Sequence, residues 1–331
     1  MTSANRFLKY ISFLFIVLFY SSCNSNRNEI MITGHTMGTT YSITIIDFKD
    51  EEDSFKNQID SLLSILNKRF STYLNDSEIS NINTQNLNSF SLSHDFAYVL
   101  EKALYYCRLS DGNYDITIAP LVDLWGFGSS GSMDFPNKGY IQDVLKSVGY
   151  QNIMLKDNIL LNKNKLKIDL NSIAKGHGVD RVFEYILEKG YSDFLVEIGG
   201  EIRSSNTTKD AWIIGIQNPE ENSIIKKIKL NNKSMATSGT YNNFFKYKEK
   251  KYSHILNPKT GYPYMYNSVS ASIITDKCID ADAYATLAMT MSPDKVIDLI
   301  NKDSTAECYI LELQDDKIIE YKSNAFDNFI F

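Results

Sequence analysis

The sequence predicts an α+β fold: mixed, mainly antiparallel sheets with packed helices, in a single large domain or two intimate ones. Three observations predict it. Strand-like runs come in pairs joined by short turns, as at Asp157-Asn158 and Gly199-Gly200. A doubly wound parallel sheet would instead separate its strands by long crossovers. The length, 331 residues, allows a large core. The apolar content of 43% and charged content of 22% belong to a globular chain and not a disordered one. The net charge of -6 argues against nucleic acid or an acidic membrane surface as the partner. The 21 Tyr and 18 Phe can stack on flat ligands, although packing at sheet edges accounts for most of them.

The N-terminus reads as a targeting segment. Arg6 and Lys9 precede a short apolar run, Ile11–Tyr20, and then Ser21-Ser22-Cys23. That run is too short to span a bilayer, so residues 1–22 form a signal peptide. Small residues directly before Cys23 point to lipidation there; an ordinary signal peptide with Cys23 incidental is the alternative. Residues 23–29 then form a polar tether, and 30–331 the folded body. Cys107, Cys278 and Cys308 show no C-x-x-C spacing, so we expect buried thiols with at most one disulfide.

Ile30–Ile46 has a Thr/Ile strand pattern interrupted by glycines at Gly34 and Gly38. Met37 between them could lie on a flat ring or simply pack in a core. Phe55–Phe70 is an amphipathic helix. Ser77 and Ser93 sit where helix caps belong. Ser110–Gly128 reads as a long polar and aromatic loop region. Asn137–Val148 reads as a helix, and Asn152–Leu161 as a hairpin.

Leu166–Ile168 alternates like a strand and leads into Asp169–Asp180, a turn carrying Lys175, Gly176, His177 and Gly178. Val182, Phe183, Ile186 and Leu187 follow at helical spacing, closed by Gly190. A helix start of this kind suits a bound anion, with a plain capped turn as the alternative. Asp193–Arg203 reads as two strands; Trp212–Gln217 and Ile224–Leu230 are further strands. Met235–Tyr241, containing Thr237, Ser238 and Gly239, is a small-residue loop suited to phosphate, or an ordinary hairpin connection. His254 ends an aromatic strand before Asn257-Pro258 and is a candidate general base. Asp282 and Thr286 lie four apart and share a helix face, offering the hard oxygens that magnesium takes. An acidic first turn with Thr286 bonding back to its own helix is the alternative. Ser292-Pro293 opens one more helix, and strands finish the chain.

Taken in order, several of these pieces resemble the FAD:protein FMN transferase (ApbE) family. They are His35-Thr36-Met37-Gly38-Thr39, Phe70–Tyr73 with Ser77–Ile79, Tyr114–Thr117 with Ala119–Leu121, Asp169–Gly176, Glu197–Arg203, Ala236–Gly239, His254–Gly261, and Ala281–Ala283 with Thr286. The resemblance spans about Gly34 to Met291. It departs from the family pattern at Ile116-Thr117-Ile118 and at Tyr20.

The resemblance implies an enzyme that binds FAD with Mg2+, cleaves the pyrophosphate and passes FMN to a Thr or Ser hydroxyl of a partner flavoprotein, with AMP leaving. It implies that Met37 and Tyr73 contact the flavin or adenine rings, and that Asn113, Tyr114 and Asp115 line the FAD site. Asp169 and Lys175 would hold the nucleotide. Asp282, Thr286 and the backbone carbonyl of Ser172 would hold the cation, and His254 would be the base. It also implies an exported, membrane-anchored lipoprotein facing the periplasm. A magnesium-dependent FAD pyrophosphatase and a non-catalytic flavin-binding lipoprotein remain as alternatives.

Overall fold

The hairpins expected at Asp157-Asn158 and Gly199-Gly200 are both present, the second as part of one large sheet. The computed structural model describes residues 28–128, 135–207, 211–221, 223–240, 244–247, 250–265, 267–315 and 317–331. The signal segment 1–22, Cys23 and the tether as far as residue 27 lie outside the described residues.

The chain opens with the hairpin β1 (Glu29–Thr36) and β2 (Thr39–Ile46), then α1 (Glu52–Phe70), α2 (Glu78–Thr84), β3 (Ser89–Ser91) and α3 (His94–Leu109). After α4 (Ala119–Leu124) and α5 (Lys138–Leu145) come the short strands β4 (Met154–Lys156) and β5 (Ile159–Leu161). Helix α6 (Ala174–Glu188) leads into β6 (Phe194–Ile198), β7 (Glu201–Ser205), β8 (Trp212–Gln217), β9 (Ile224–Leu230) and β10 (Ser234–Gly239). The remainder is β11 (Phe244–Tyr247), β12 (Lys250–Ser253), β13 (Ser268–Thr275), α7 (Cys278–Ala288), α8 (Pro293–Ile300), β14 (Glu307–Gln314) and β15 (Lys317–Lys322).

The large sheet has the order β1-β2-β6-β7-β10-β13-β14-β15, and its neighbours all pair antiparallel. Smaller antiparallel sheets are β3-β5-β4, β8-β9 and β11-β12. This is the mainly antiparallel α+β architecture that the sequence predicts.

Side chains alternate across a strand, so the sheet has two buried faces. Phe194, Val196 and Ile198 pack with α1 and α6 on one side. Leu195 packs on the other, with Ile214 and Ile228 of the β8-β9 ribbon. Ala236, Ala271 and Ile273 join α3 and α7 in the main core. A smaller cluster holds Leu121, Trp125, Ile141 and Leu256.

Four sequence readings change. Leu166–Ile168 is extended but is not a strand. Its backbone is held by side chains instead: Asn83 bonds both the N–H and the C=O of Ile168, and Asn162 does the same for Leu166. Met235–Gly239 is not a loop but most of β10; its small side chains let the alanine-rich α7 lie close on that strand. Ser110–Gly128 is not structureless, because Asp115 caps a 3₁₀ turn at Ile116–Ile118 and Pro120 stands at the start of α4. The helix after Asp169 begins at Ala174, so Lys175, Gly176, His177 and Gly178 lie inside it. The three described cysteines are buried and free.

Candidate active site

The site is built where α6 meets α7. Neither helix is capped by a side chain at its own N-cap, which are Ile173 and Lys277. Each is capped by the other. Asp282 of α7 accepts the Gly176 N–H of α6 at 2.8 Å. Asp180 of α6 accepts the Cys278 and Ile279 N–H groups of α7 at 2.9 and 3.0 Å. Asp180 also accepts Arg203 Nη1 at 2.7 Å. Helix starts carry unpaired N–H groups and positive potential, so a carboxylate there is stabilised. Gly176 is needed because a Cβ would stand 2.4 Å from the Cys278 carbonyl oxygen and 2.7 Å from the Asp282 Cβ. Burial pushes both carboxyls up, against the pull of Arg203 on Asp180 and of Lys175 on Asp282.

Lys175 Nζ donates to Glu201 Oε1 at 2.6 Å. Glu201 is 3% exposed, and its Oε2 is buried with no hydrogen-bond partner among the described residues. Burial pushes the Glu201 carboxyl up, and the ammonium opposes that shift. Lys175 is held charged because Glu201 and then Asp282 outweigh its desolvation. The sequence reading quoted Glu201 but gave it no role. A signal was available: across the Gly199-Gly200 turn Glu201 pairs with Ile198, and so shares its buried face.

One turn beyond Asp282, Thr286 Oγ1 lies 3.3 Å from Ser238 Oγ of β10. Thr237 Oγ1 is engaged 2.8 Å from Ser272 Oγ on the neighbouring strand, and Gly239 ends β10. In the turn before α6, Ser172 Oγ lies 2.7 Å from the Tyr114 hydroxyl, and Asp169 accepts the Asn171 N–H at 2.7 Å. Met37 has φ +48 in its hairpin turn. It lies against α6, where a Cβ on Gly178 would stand 3.3 Å from its Sδ. Met37, Tyr114, Ser172 and Lys175 are thus gathered about the start of α6, and Asp282, Thr286 and Ser238 along the stretch of α7 that packs beside it.

Other expected residues stand differently. Asp115 spends its oxygens on the Thr117 N–H and hydroxyl and on the Tyr150 N–H. Asn113 offers its carbonyl to the Tyr264 hydroxyl at 3.0 Å. Tyr73 is 68% exposed in the turn after α1. His254 follows β12 with its ring edge-on to Phe127, centroids 6.2 Å apart. The next residue, Ile255, belongs to the same core as Tyr114 and Ala283. His177 is buried between Phe70 and Tyr98, with Nε2 3.5 Å from Asp95 Oδ1 and neither ring nitrogen hydrogen-bonded among the described residues. Burial pushes it down to about 4, so the ring is neutral near pH 7.

The model of the ApbE family matches residues 37–310, which takes in every one of these residues. The chain belongs to the ApbE family. It is 33% identical over 323 residues to the FAD:protein FMN transferase of Vibrio cholerae, covering 95% of this chain and 96% of that protein. The FAD:protein FMN transferase of Haemophilus influenzae is also 33% identical, over 327 residues and 94% of each chain. A solved structure of flavin transferase ApbE from Vibrio cholerae superposes with a TM-score of 0.84 at 32% identity, covering 92% of this chain and 99% of that one. The ApbE protein of Thermotoga maritima superposes with a TM-score of 0.83 at 28% identity, covering 91% and 99%.

Proposed function

We propose that this chain cleaves FAD and attaches the FMN half, through a phosphodiester, to a Thr or Ser hydroxyl of an acceptor flavoprotein, releasing AMP. One observation carries the reading. The buried Asp282, with Thr286 one turn on and Lys175 close by, stands in an ApbE-family chain whose relatives are named FAD:protein FMN transferase. Phosphoryl transfer is mostly positioning and charge neutralisation, and this site offers both. The acceptor oxygen forms a bond to the FMN phosphorus while the bond from that phosphorus to the bridging oxygen breaks. AMP leaves with the bridging oxygen, and the hydroxyl proton passes to His254. Met37 and Tyr73 would contact the rings; Asn113, Tyr114, Asp115 and Asp169 would line the FAD site. Lys175, Thr237, Ser238 and the Gly239 amide would face the phosphates.

The donor set fits magnesium. Asp282, Thr286 and the Ser172 carbonyl are hard oxygens, and among the described residues no group of three His, Cys, Asp or Glu is placed to hold a metal. The remaining positions would fall to phosphate oxygens and water, as magnesium prefers. Bound there, the ion would offset charge on the pyrophosphate. The reading also takes the chain as a lipoprotein anchored through Cys23, with an exported or membrane acceptor facing the periplasm.

The test is a mass measurement. The protein is mixed with FAD, MgCl2 and a candidate acceptor domain carrying an exposed Thr or Ser. An FMN-sized gain on the acceptor, with AMP formed, is the expected result. Free FMN and AMP without labelling would mark a pyrophosphatase, and intact bound FAD a carrier. His254→Asn should lower transfer by roughly 10²–10⁴-fold while FAD binding persists. Unchanged transfer in that variant would remove His254 from the mechanism.

A further inference from the structure

Lys175 lies within electrostatic reach of three carboxylates, Glu201, Asp282 and Glu197, and Glu201 holds it. We infer that Glu201 is a positioning residue that keeps the Lys175 ammonium off Asp282 and so leaves the Asp282 carboxylate open to a cation. This rests on the reading of Asp282 and Thr286 as the cation seat.

Three observations support it. Lys175 is the residue directly before Gly176, whose N–H lies on Asp282 Oδ2 at 2.8 Å. The α6 backbone is pressed against Asp282 at this point, 2.7 Å from a Gly176 Cβ to the Asp282 Cβ. A flexible four-carbon stem rooted beside that contact can turn its ammonium to either acid. Glu201 is fixed as the first residue of β7, paired with Ile198, and takes the ammonium at 2.6 Å. Its second oxygen is buried and has no donor among the described residues. The hydrogen bond that Glu201 does accept from a described side chain is the one from Lys175, and it holds the lysine on this side. Without Glu201 the ammonium would need another anion, since an uncompensated buried charge is costly. Of the other two carboxylates, Glu197 already accepts the Gly200 N–H, and Asp282 follows Glu201 in its pull on the lysine; an ammonium seated on Asp282 would compete with a divalent cation for the same oxygens.

The experiment uses the full chain without flavin and reads Mg2+ alone. The melting midpoint is followed against MgCl2 concentration, and Mn2+ binding at equilibrium serves as a second readout. Glu201→Gln, nearly isosteric, should weaken Mg2+ binding by about tenfold or more, the usual scale for groups behind a metal ligand. Adding Lys175→Met removes the competitor and should restore binding to at least the starting value, which a merely structural role for Glu201 would not produce. Wild-type Mg2+ affinity in Glu201→Gln, or a double variant as weak as the single one, overturns the inference and leaves the transferase reading standing. No Mg2+ response in the unaltered protein overturns both the inference and the cation seat.

Discussion

Asp180 and Asp282 perform the same local task at two helix starts: each is carried by the opposite helix and accepts N–H groups that its partner leaves open. They differ in what remains. Asp180 accepts two backbone N–H groups and the Arg203 guanidinium. Asp282 accepts one backbone N–H among the described residues, that of Gly176. A saturated carboxylate holds the fold together; a carboxylate with lone pairs to spare can also bind. In the sequence Asp282 is marked by Thr286 one turn on, whereas the capping task of Asp180 is not marked.

The comparison breaks first at Asp180. Asp180→Ala strands a part-buried guanidinium and two buried N–H groups, and the expected loss is about 3 kcal/mol, the lower end of the range for breaking a buried pair. Urea unfolding should show that loss; a cost within about 0.5 kcal/mol, the range of ordinary surface changes, would refute the structural assignment. Acid gives the next effect. His177 sits on α6 between the two capping contacts, against Phe70, Tyr98 and Asp95, and Asp95 in turn meets Arg69 and Arg181. Its folded value, about 4, lies below the unfolded value of roughly 6.5. The unfolded chain therefore binds the extra proton between those values, and stability falls as pH drops through that window, by about 3 kcal/mol at most. His177→Phe should flatten the slope of unfolding free energy between pH 6.5 and 4; an unaltered slope would mean that other groups set it.

The smallest stability effect is expected at Asp282. In Asp282→Asn the amide oxygen can still accept from Gly176, so the cost should stay near 1 kcal/mol, while the rise of the melting midpoint with MgCl2 disappears. A cost matching that of Asp180→Ala would erase the distinction between the two helix starts.

Much of the fold is legible because its signals are local. Asp157 and Asn158 both take positive φ, as a two-residue hairpin turn requires. Ser77 and Ser93 cap their helices through their own hydroxyls. What is not legible depends on partners far along the chain. Segment 166–168 looks like a strand, yet the Ile168 N–H and C=O go to the side chain of Asn83, 85 residues away. Thr237, Ser238 and Gly239 look like a loop because nothing local shows that α7 will lie across them. The site divides in the same way. Asp282 and Thr286 are related by helical spacing alone, whereas the Lys175–Glu201 and Tyr114–Ser172 contacts come from tertiary packing.

The exchanged caps also constrain the order in which the molecule can assemble. Asp180 and Cys278 are 98 residues apart, and Gly176 and Asp282 are 106 apart. A growing chain that has not yet reached Cys278 can form the α6 pattern, but its first turn has neither its carboxylate nor the surface Gly176 rests on. Long loops must close before such contacts repay their entropy, which slows folding. Neither capping contact can form before the two helices meet. The carboxylate that the chemistry needs comes into place only after the C-terminal third of the chain has joined the rest.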